Sequence, residues 1–230
     1  MELCLSNYLI IYLTKNAKKI IAVSPSIKNI LVNNYKIPKK KIKIILNGVN
    51  SDKFKVIEKK YARKKLKIPP TKLVLSYVGR MVKSKGYNLL KKLALNFDGE
   101  LIIVNDEADK YFSSYHNIKT FKYVKQSTLN LIYSASDGLI LPSVSSEGMP
   151  LVLLESLSSG TPLLVANALG NTDILNPLIS EKFKPNNLKE LLNKIHLLKN
   201  KSPQECRKYA EKYKWETCVE EYIKIYENWI

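Results

Sequence analysis

Seven residues separate Glu147 from Glu155, and Gly148, Met149, Pro150, Leu151 and Val152 stand among them. Pro150 suits the first position of a helix, where a backbone N–H is not needed. Gly160 suits the residue that ends one. The spacing predicts a helix over 150–159 whose free N–H groups, chiefly those of Leu151 and Val152, form an anion site. Glu147 then lies on the loop at the mouth of that site, and Glu155 about one and a half turns further in. Two carboxylates beside a helix N-terminus would repel a bare phosphate. They suit a ligand with an anionic middle and hydroxyl-rich ends, because carboxylates accept from vicinal hydroxyls while N–H groups hold a diphosphate. A nucleotide sugar is built that way.

The elements that must position these residues are legible as apolar runs. Residues 137–142 and 162–166 frame the helix and give strand, loop, helix, strand, one unit of a parallel sheet. Residues 73–78 are almost continuously apolar, as a parallel strand buried on both faces should be. That strand runs into Gly79-Arg80 and, across a short loop, Lys85-Gly86, which opens a helix over 86–96. Gly79 lets the backbone approach a ligand. Arg80 and Lys85 put two cations at the strand's carboxyl end, where open α/β sheets bind ligands. Further strands are expected at 101–104 and 119–124, with helices at 107–114, 127–135, 187–199, 203–213 and 215–229. Upstream, 4–16 carries an apolar stripe at helical spacing. A strand at 19–23, a helix over 25–34 capped by Ser24, a strand at 42–46 closed by an Asn47-Gly48 turn and a basic helix over 55–69 follow. The fold class is α/β, with a Rossmann-like doubly wound parallel sheet.

Glu147-Gly-Met-Pro-Leu-x3-Glu155 followed by Gly160-Thr-Pro162, set between two apolar strands, resembles the signature of the family 4 retaining glycosyltransferases (glycosyl transferases group 1). Gly79-Arg80-x4-Lys85-Gly86 resembles the segment that holds the donor diphosphate in that family, and the stretch from Val23-Ser24 to Asn47-Gly48 resembles the end of its N-terminal domain. The resemblance covers nearly all of 17–230. It implies the C-terminal half of a two-Rossmann-domain architecture with most of the N-terminal domain absent: 1–50 a remnant of that domain plus linker, 51–213 the nucleotide-sugar-binding domain, 214–230 a crossover helix. It implies transfer of a hexose from a nucleoside diphosphate sugar, UDP- or GDP-linked, to a sugar, glycan or lipid-linked hydroxyl acceptor with retention of configuration. Arg80, Lys85 and the 151–152 N–H groups would stabilise the departing diphosphate, so that neither a metal nor a further cofactor is needed. Glu147 would orient the sugar or the acceptor end, Glu155 would take the ribose hydroxyls, and Val124 would meet the base through its backbone. The family's Gly-Gly turn and Glu after 165 are replaced by Gly170-Asn-Thr-Asp173; Gly170 fits a sugar-side loop and Asp173 stands where a carboxylate is expected. An aromatic face on the last helix needs a core or partner to cover it.

The chain of 230 residues has 38 Lys and Arg against 20 Asp and Glu, a formal charge of +18. Thirteen of those cations fall between Lys36 and Lys67, against only Asp52 and Glu58. Two readings stay open: attraction to an anionic membrane surface or lipid-phosphate acceptor, or a compositional bias that also enriches Ile and Asn. A nucleic-acid partner is not expected, since no recognition motif is present. Three cysteines without metal-ligand spacing suggest a reduced compartment. No run reaches the roughly 18 apolar residues of a membrane span, so the expected location is cytoplasmic, or peripheral on the inner face of the membrane. The enzyme is compact, or its missing half comes from a partner chain that supplies the N-terminal domain; the alternatives are a truncated nucleotide-sugar-binding module or subunit without turnover of its own and, more distantly, a basic α/β adaptor for nucleic acid or membrane.

Overall fold

A computed structural model describes residues 12–14, 16–145, 147–168 and 170–227. Most of the stripe at 4–16, together with Cys4 and Trp229, lies outside the described residues. Six parallel strands form the main sheet: β3 (Val74–Val78), β4 (Glu100–Val104), β5 (Ile118–Phe121), β6 (Gly138–Leu141), β7 (Leu163–Ala166) and β8 (Ser180–Phe183). Their spatial order is β5-β4-β3-β6-β7-β8. The chain therefore winds outward from β3 in one direction and from β6 in the other. The crevice above the β3/β6 junction is the switch point at which such sheets take ligands.

Side-chain alternation sorts the core into two layers. Leu75, Tyr77, Leu101, Ile103, Ile140 and Leu164 face one side, where Leu89, Leu90 and Leu93 of α3 (Tyr87–Asn96) and Leu191 and Ile195 of α7 (Leu188–Ile195) cover them. On the other side Leu139, Leu141, Leu163 and Val165 pack with Leu153 and Leu157 of α6 (Leu151–Ser158). Val74, Ile102 and Val104 there pack with Ala62 and Leu66 of α2 (Lys59–Leu66) and Ile132 of α5 (Gln126–Ala135). With helices on both faces, every strand of the centre can be apolar throughout, which is why the runs stood out.

A second, two-stranded parallel sheet joins β1 (Ile20–Ala22) to β2 (Ile42–Ile44) through α1 (Pro25–Asn33), around Ala22, Ile37 and Ile42. Ser24 caps α1 as expected, its hydroxyl accepting from Ile27 N at 3.2 Å. The final helix, α9 (Trp215–Glu227), returns to this unit: Val49 bridges Lys214, and Cys218 Sγ meets Leu46 O at 3.2 Å. Gly48 is needed here for space, since a Cβ would lie 2.7 Å from Trp215 Cα.

Several boundaries differ from the sequence expectation. The basic helix is confined to Lys59–Leu66, because Lys67 takes a left-handed conformation (φ 54°) and closes it before the two prolines. Strand β5 ends at Phe121, leaving Val124 in a loop. Pro150 is the N-cap, extended at ψ 121°, rather than the first helical residue. Ile179–Phe183, which has only two strongly apolar positions, contains edge strand β8, paired with β7.

The basic stretch 36–67 is not all surface. The Arg63 side chain is only 6% exposed. Its Nε donates to Ala135 O (3.0 Å), Nη1 to Pro70 O and Lys72 O (2.6 and 3.0 Å), and Nη2 to Asp137 Oδ2 (2.8 Å). Asp137 also accepts from Val74 N at 2.8 Å and Lys59 Nζ at 2.7 Å. This knot ties α2 to the entry edge of β3 and β6, opposite the crevice. Among the described residues no helix is long and apolar enough to cross a membrane.

Candidate functional site

The loops leaving β3 and β6 are fastened together, and that fastening brings Lys85 and Glu147 into contact. After β3 the chain makes a 3-10 turn over Lys83–Lys85 and enters α3 at Gly86. Gly86 has φ 76°, and a Cβ there would lie 2.1 Å from Pro142 O. Only glycine lets the backbone settle on the β6 exit at that point. Val144 N donates to Ser84 O at 2.9 Å and completes the seam. As a result Lys85 Nζ contacts Glu147 Oε2, across 62 residues of sequence. The two side chains are 21% and 12% exposed.

Glu147 is thus more enclosed than a carboxylate at a mouth. Its Oε1 is buried and has no hydrogen-bond partner among the described residues, as do Ser143 Oγ and Asn171 Oδ1 close by. Gly170 (φ 85°) backs it so tightly that a Cβ would come within 1.8 Å of Glu147 O. Asn171 Nδ2 reaches Ser143 O at 3.3 Å. Asp173, in contrast, is spent on architecture. Its carboxylate accepts from Ser26 N (2.9 Å) and Ser26 Oγ (2.6 Å) in the first turn of α1.

Arg80 is exposed at the end of β3. Its carbonyl accepts from Tyr77 Oη at 2.8 Å. The same phenol explains Gly79, where a Cβ would sit 2.8 Å from Tyr77 Oη. Burial pushes the Tyr77 phenol far above its usual range, the Glu147 charge adding to the rise and Arg80 opposing it.

Helix α6 begins with Leu151 exposed and Val152 half-buried. Its first turn closes with Leu153 N on Pro150 O at 3.2 Å, so the Leu151 and Val152 N–H groups stand at the open end. Met149 is buried against the N-terminal unit rather than set at the helix mouth: its O accepts from Asn47 Nδ2 (2.8 Å) and its Sδ from Asn47 N (3.2 Å). Gly148 makes room for Val23, whose Cγ2 would lie 2.8 Å from an added Cβ.

Glu155, on α6, is half-buried, and Tyr133 Oη donates to its Oε2 at 2.9 Å. Burial raises the Glu155 pKa above its ordinary 4.5, and the phenol's hydrogen bond counters part of that rise. Val124 is half-buried and, with Gly79, Arg80, Asp106 and Leu129, lines a cavity of about 290 Å³ beside the β3 exit. Larger clefts lie elsewhere; the one of about 500 Å³ borders the Arg63–Asp137 knot at the opposite edge of the sheet. Tyr77 and Tyr133 were not singled out from the sequence, and Asn47 was read only as part of a turn. A tyrosine inside an otherwise apolar helical stripe, Leu129 to Tyr133, was the available signal for the second of them, because a buried phenol usually finds a partner. Among the described residues no group of three or more His, Cys, Asp or Glu side chains is placed to hold a metal ion.

The sheet is doubly wound and Rossmann-like, and cations, a helix N-terminus and a carboxylate stand at the ends of β3 and β6. Residues 58–214 match the family described as Glycosyl transferases group 1, and residues 4–53 match Glycosyltransferase Family 4. The chain belongs to the group 1 glycosyl transferases. A glycosyltransferase of Methanocaldococcus jannaschii is 28% identical over 236 residues, which cover 96% of this chain and 62% of that protein. The Escherichia coli UDP-Gal:alpha-D-GlcNAc-diphosphoundecaprenol alpha-1,3-galactosyltransferase is 30% identical over 193 residues, 76% of this chain and 48% of its own length. The chain therefore spans roughly half to two thirds of these relatives. Among solved structures, sucrose-phosphate synthase from Thermosynechococcus elongatus superposes with a TM-score of 0.85 at 20% identity, covering 96% of this chain and 61% of that one. HepE from Anabaena, in complex with UDP-glucose, gives 0.84 at 16%, covering 96% and 67%. These likenesses bear on the fold.

Proposed function

We propose that this chain carries the donor side of a glycosyltransferase that moves a hexose from a nucleoside diphosphate sugar to a hydroxyl of a sugar, glycan or lipid-linked acceptor, with retention of configuration. The observation that carries the reading is the Lys85–Glu147 pair, which joins the loops leaving β3 and β6; it is supported by Arg80 at the end of β3 and by the α6 N-terminus that follows Glu147. As the bond from the sugar's anomeric carbon to the diphosphate oxygen breaks, negative charge grows on the leaving diphosphate. Arg80, Lys85 and the Leu151 and Val152 N–H groups form a preorganised set of donors for that charge. The Lys85–Glu147 pair supports one order of events: a diphosphate that takes Lys85 releases Glu147 to accept from the sugar or the acceptor. Glu155 accepts from the ribose, and the base enters the cavity beside Val124. UDP is the first donor nucleotide to test, since the Escherichia coli relative is a UDP-Gal-dependent galactosyltransferase by name and the Anabaena neighbour is in complex with UDP-glucose.

In this reading residues 1–50 belong with an N-terminal domain, 51–213 form the nucleotide-sugar-binding domain and 214–230 cross back between them. A second reading, a donor-binding module that turns over only with another α/β unit, is favoured by one observation. Trp215, Val219, Ile223 and Tyr226 leave an apolar face of α9 exposed. Calorimetric titration with UDP, GDP, ADP and their hexose conjugates, followed by an assay for slow hydrolysis of any binder, separates these readings. Binding with hydrolysis supports the enzyme, binding alone the module, and no binding overturns both.

A further inference from the structure

We propose that Tyr133 is a positioning residue for ribose recognition, its phenol holding the Glu155 carboxylate in the orientation that takes the two ribose hydroxyls of a nucleoside diphosphate. The inference rests on the reading of Glu155 as the ribose carboxylate given above.

Tyr133 has no solvent exposure, yet its single polar atom is aimed at one target, Glu155 Oε2, at 2.9 Å. The ring cannot easily turn elsewhere. It packs at a tilt against Phe54, 6.1 Å between centroids, and the Tyr133 carbonyl accepts from Thr161 Oγ1 at 2.7 Å. Thr161 is fixed in turn, its carbonyl accepting from Ser156 Oγ at 3.0 Å. The phenol therefore approaches from a frame locked to both α5 and the turn after α6. Glu155 has three side-chain torsions, and a carboxylate left to itself on a helix would sample several rotamers. The phenol takes Oε2 and leaves Oε1 as the acceptor still available among the described residues. Phenylalanine would fill the same volume, so packing alone does not account for the hydroxyl. Desolvation disfavours the ionised carboxylate, and donation from Tyr133 counters part of that effect in favour of the form that accepts from a diol.

The test is calorimetry of the full chain with UDP, GDP and ADP and with their 2′,3′-dideoxy counterparts. The wild type is expected to bind its nucleotide about tenfold or more tightly than the dideoxy form. Tyr133→Phe is expected to lose several-fold affinity for the ribonucleotide and none for the dideoxy form, so the ratio narrows. In a Glu155→Gln background the Tyr133→Phe change should add nothing, which a packing role would not produce. An unchanged ratio in a Tyr133→Phe protein with a native circular-dichroism spectrum overturns the inference. Equal losses for both ligands overturn it as well. If the wild type itself does not discriminate and Glu155→Gln is silent, the ribose reading fails and takes this inference with it.

Discussion

Replacing Glu147 by glutamine should tighten nucleotide diphosphate binding while removing transfer. The substitution keeps the size of the side chain and removes the charge that now occupies Lys85. Both partners are mostly enclosed, at 12% and 21% exposure, so solvent screens their attraction only in part. At an effective dielectric near 20, a contact pair is worth about 4 kcal/mol of Coulomb energy. Desolvation of both groups offsets most of it, and about 1–2 kcal/mol remains that an incoming diphosphate must overcome. Glu147→Gln should therefore bind UDP roughly 5- to 30-fold more tightly than the wild type, and a UDP-hexose should gain less, because the sugar loses its acceptor carboxylate. Lys85→Met should move UDP affinity the other way, and in the double variant the Glu147→Gln gain should vanish. Calorimetry on the four proteins reads each of these. A folded Glu147→Gln protein that binds UDP no better than the wild type would refute the idea that Lys85 is withheld until the donor arrives.

Four further outcomes follow from described contacts. Glu155→Ala should weaken nucleoside diphosphate binding about tenfold by calorimetry, through lost charge-assisted hydrogen bonds. Nucleotide affinity should also fall as the pH is lowered, beginning above the ordinary carboxylate range: the raised Glu155 pKa means that the accepting, ionised form is lost at a higher pH than for an exposed glutamate. An affinity that begins to fall only within the ordinary carboxylate range would contradict this. Gly86→Ala combines a left-handed backbone with a Cβ 2.1 Å from Pro142 O, and should cost about 3 kcal/mol in chemical denaturation while uncoupling Lys85 from Glu147. Asp137→Ala strands the buried Arg63 guanidinium, and should cost about 3 kcal/mol of stability with no change in nucleotide affinity per folded molecule.

The central strands and α6 were readable because a parallel sheet covered on both faces needs nearly unbroken apolar runs, and Pro150 and Gly160 punctuate the helix between them. Arg80, Lys85, Glu147 and Glu155 could be placed at one sheet edge for the same reason. What stayed hidden depends on contacts between distant segments. Strand β8 was not recognised because Glu181 and Lys182 interrupt it, which an edge position permits. The pairing of Lys85 with Glu147 follows from the seam of Gly86 and Val144, which no local pattern records. Asp173 looked like a ligand-side carboxylate, but Ser26, 147 residues earlier, claims it. Gly79 was ascribed to close approach of a ligand, and the structure adds a crowding phenol, Tyr77, two residues back. Charge told least of all, since Arg63, one of the thirteen cations of 36–67, works inside the fold.

The two ties between the N-terminal unit and the crevice also bear on how the chain is made. Asn47 waits for Met149, 102 residues on, and Ser26 waits for Asp173. At a synthesis rate of roughly 5–20 residues per second, β1, α1 and β2 emerge many seconds before their anchors exist. They form a two-stranded sheet with a small core of their own, too little to be stable alone. Long-range closure of this kind is slow, so pulse-labelling hydrogen exchange during refolding should find residues 20–46 protected last. The crevice would then be finished in the same step that secures β1, α1 and β2.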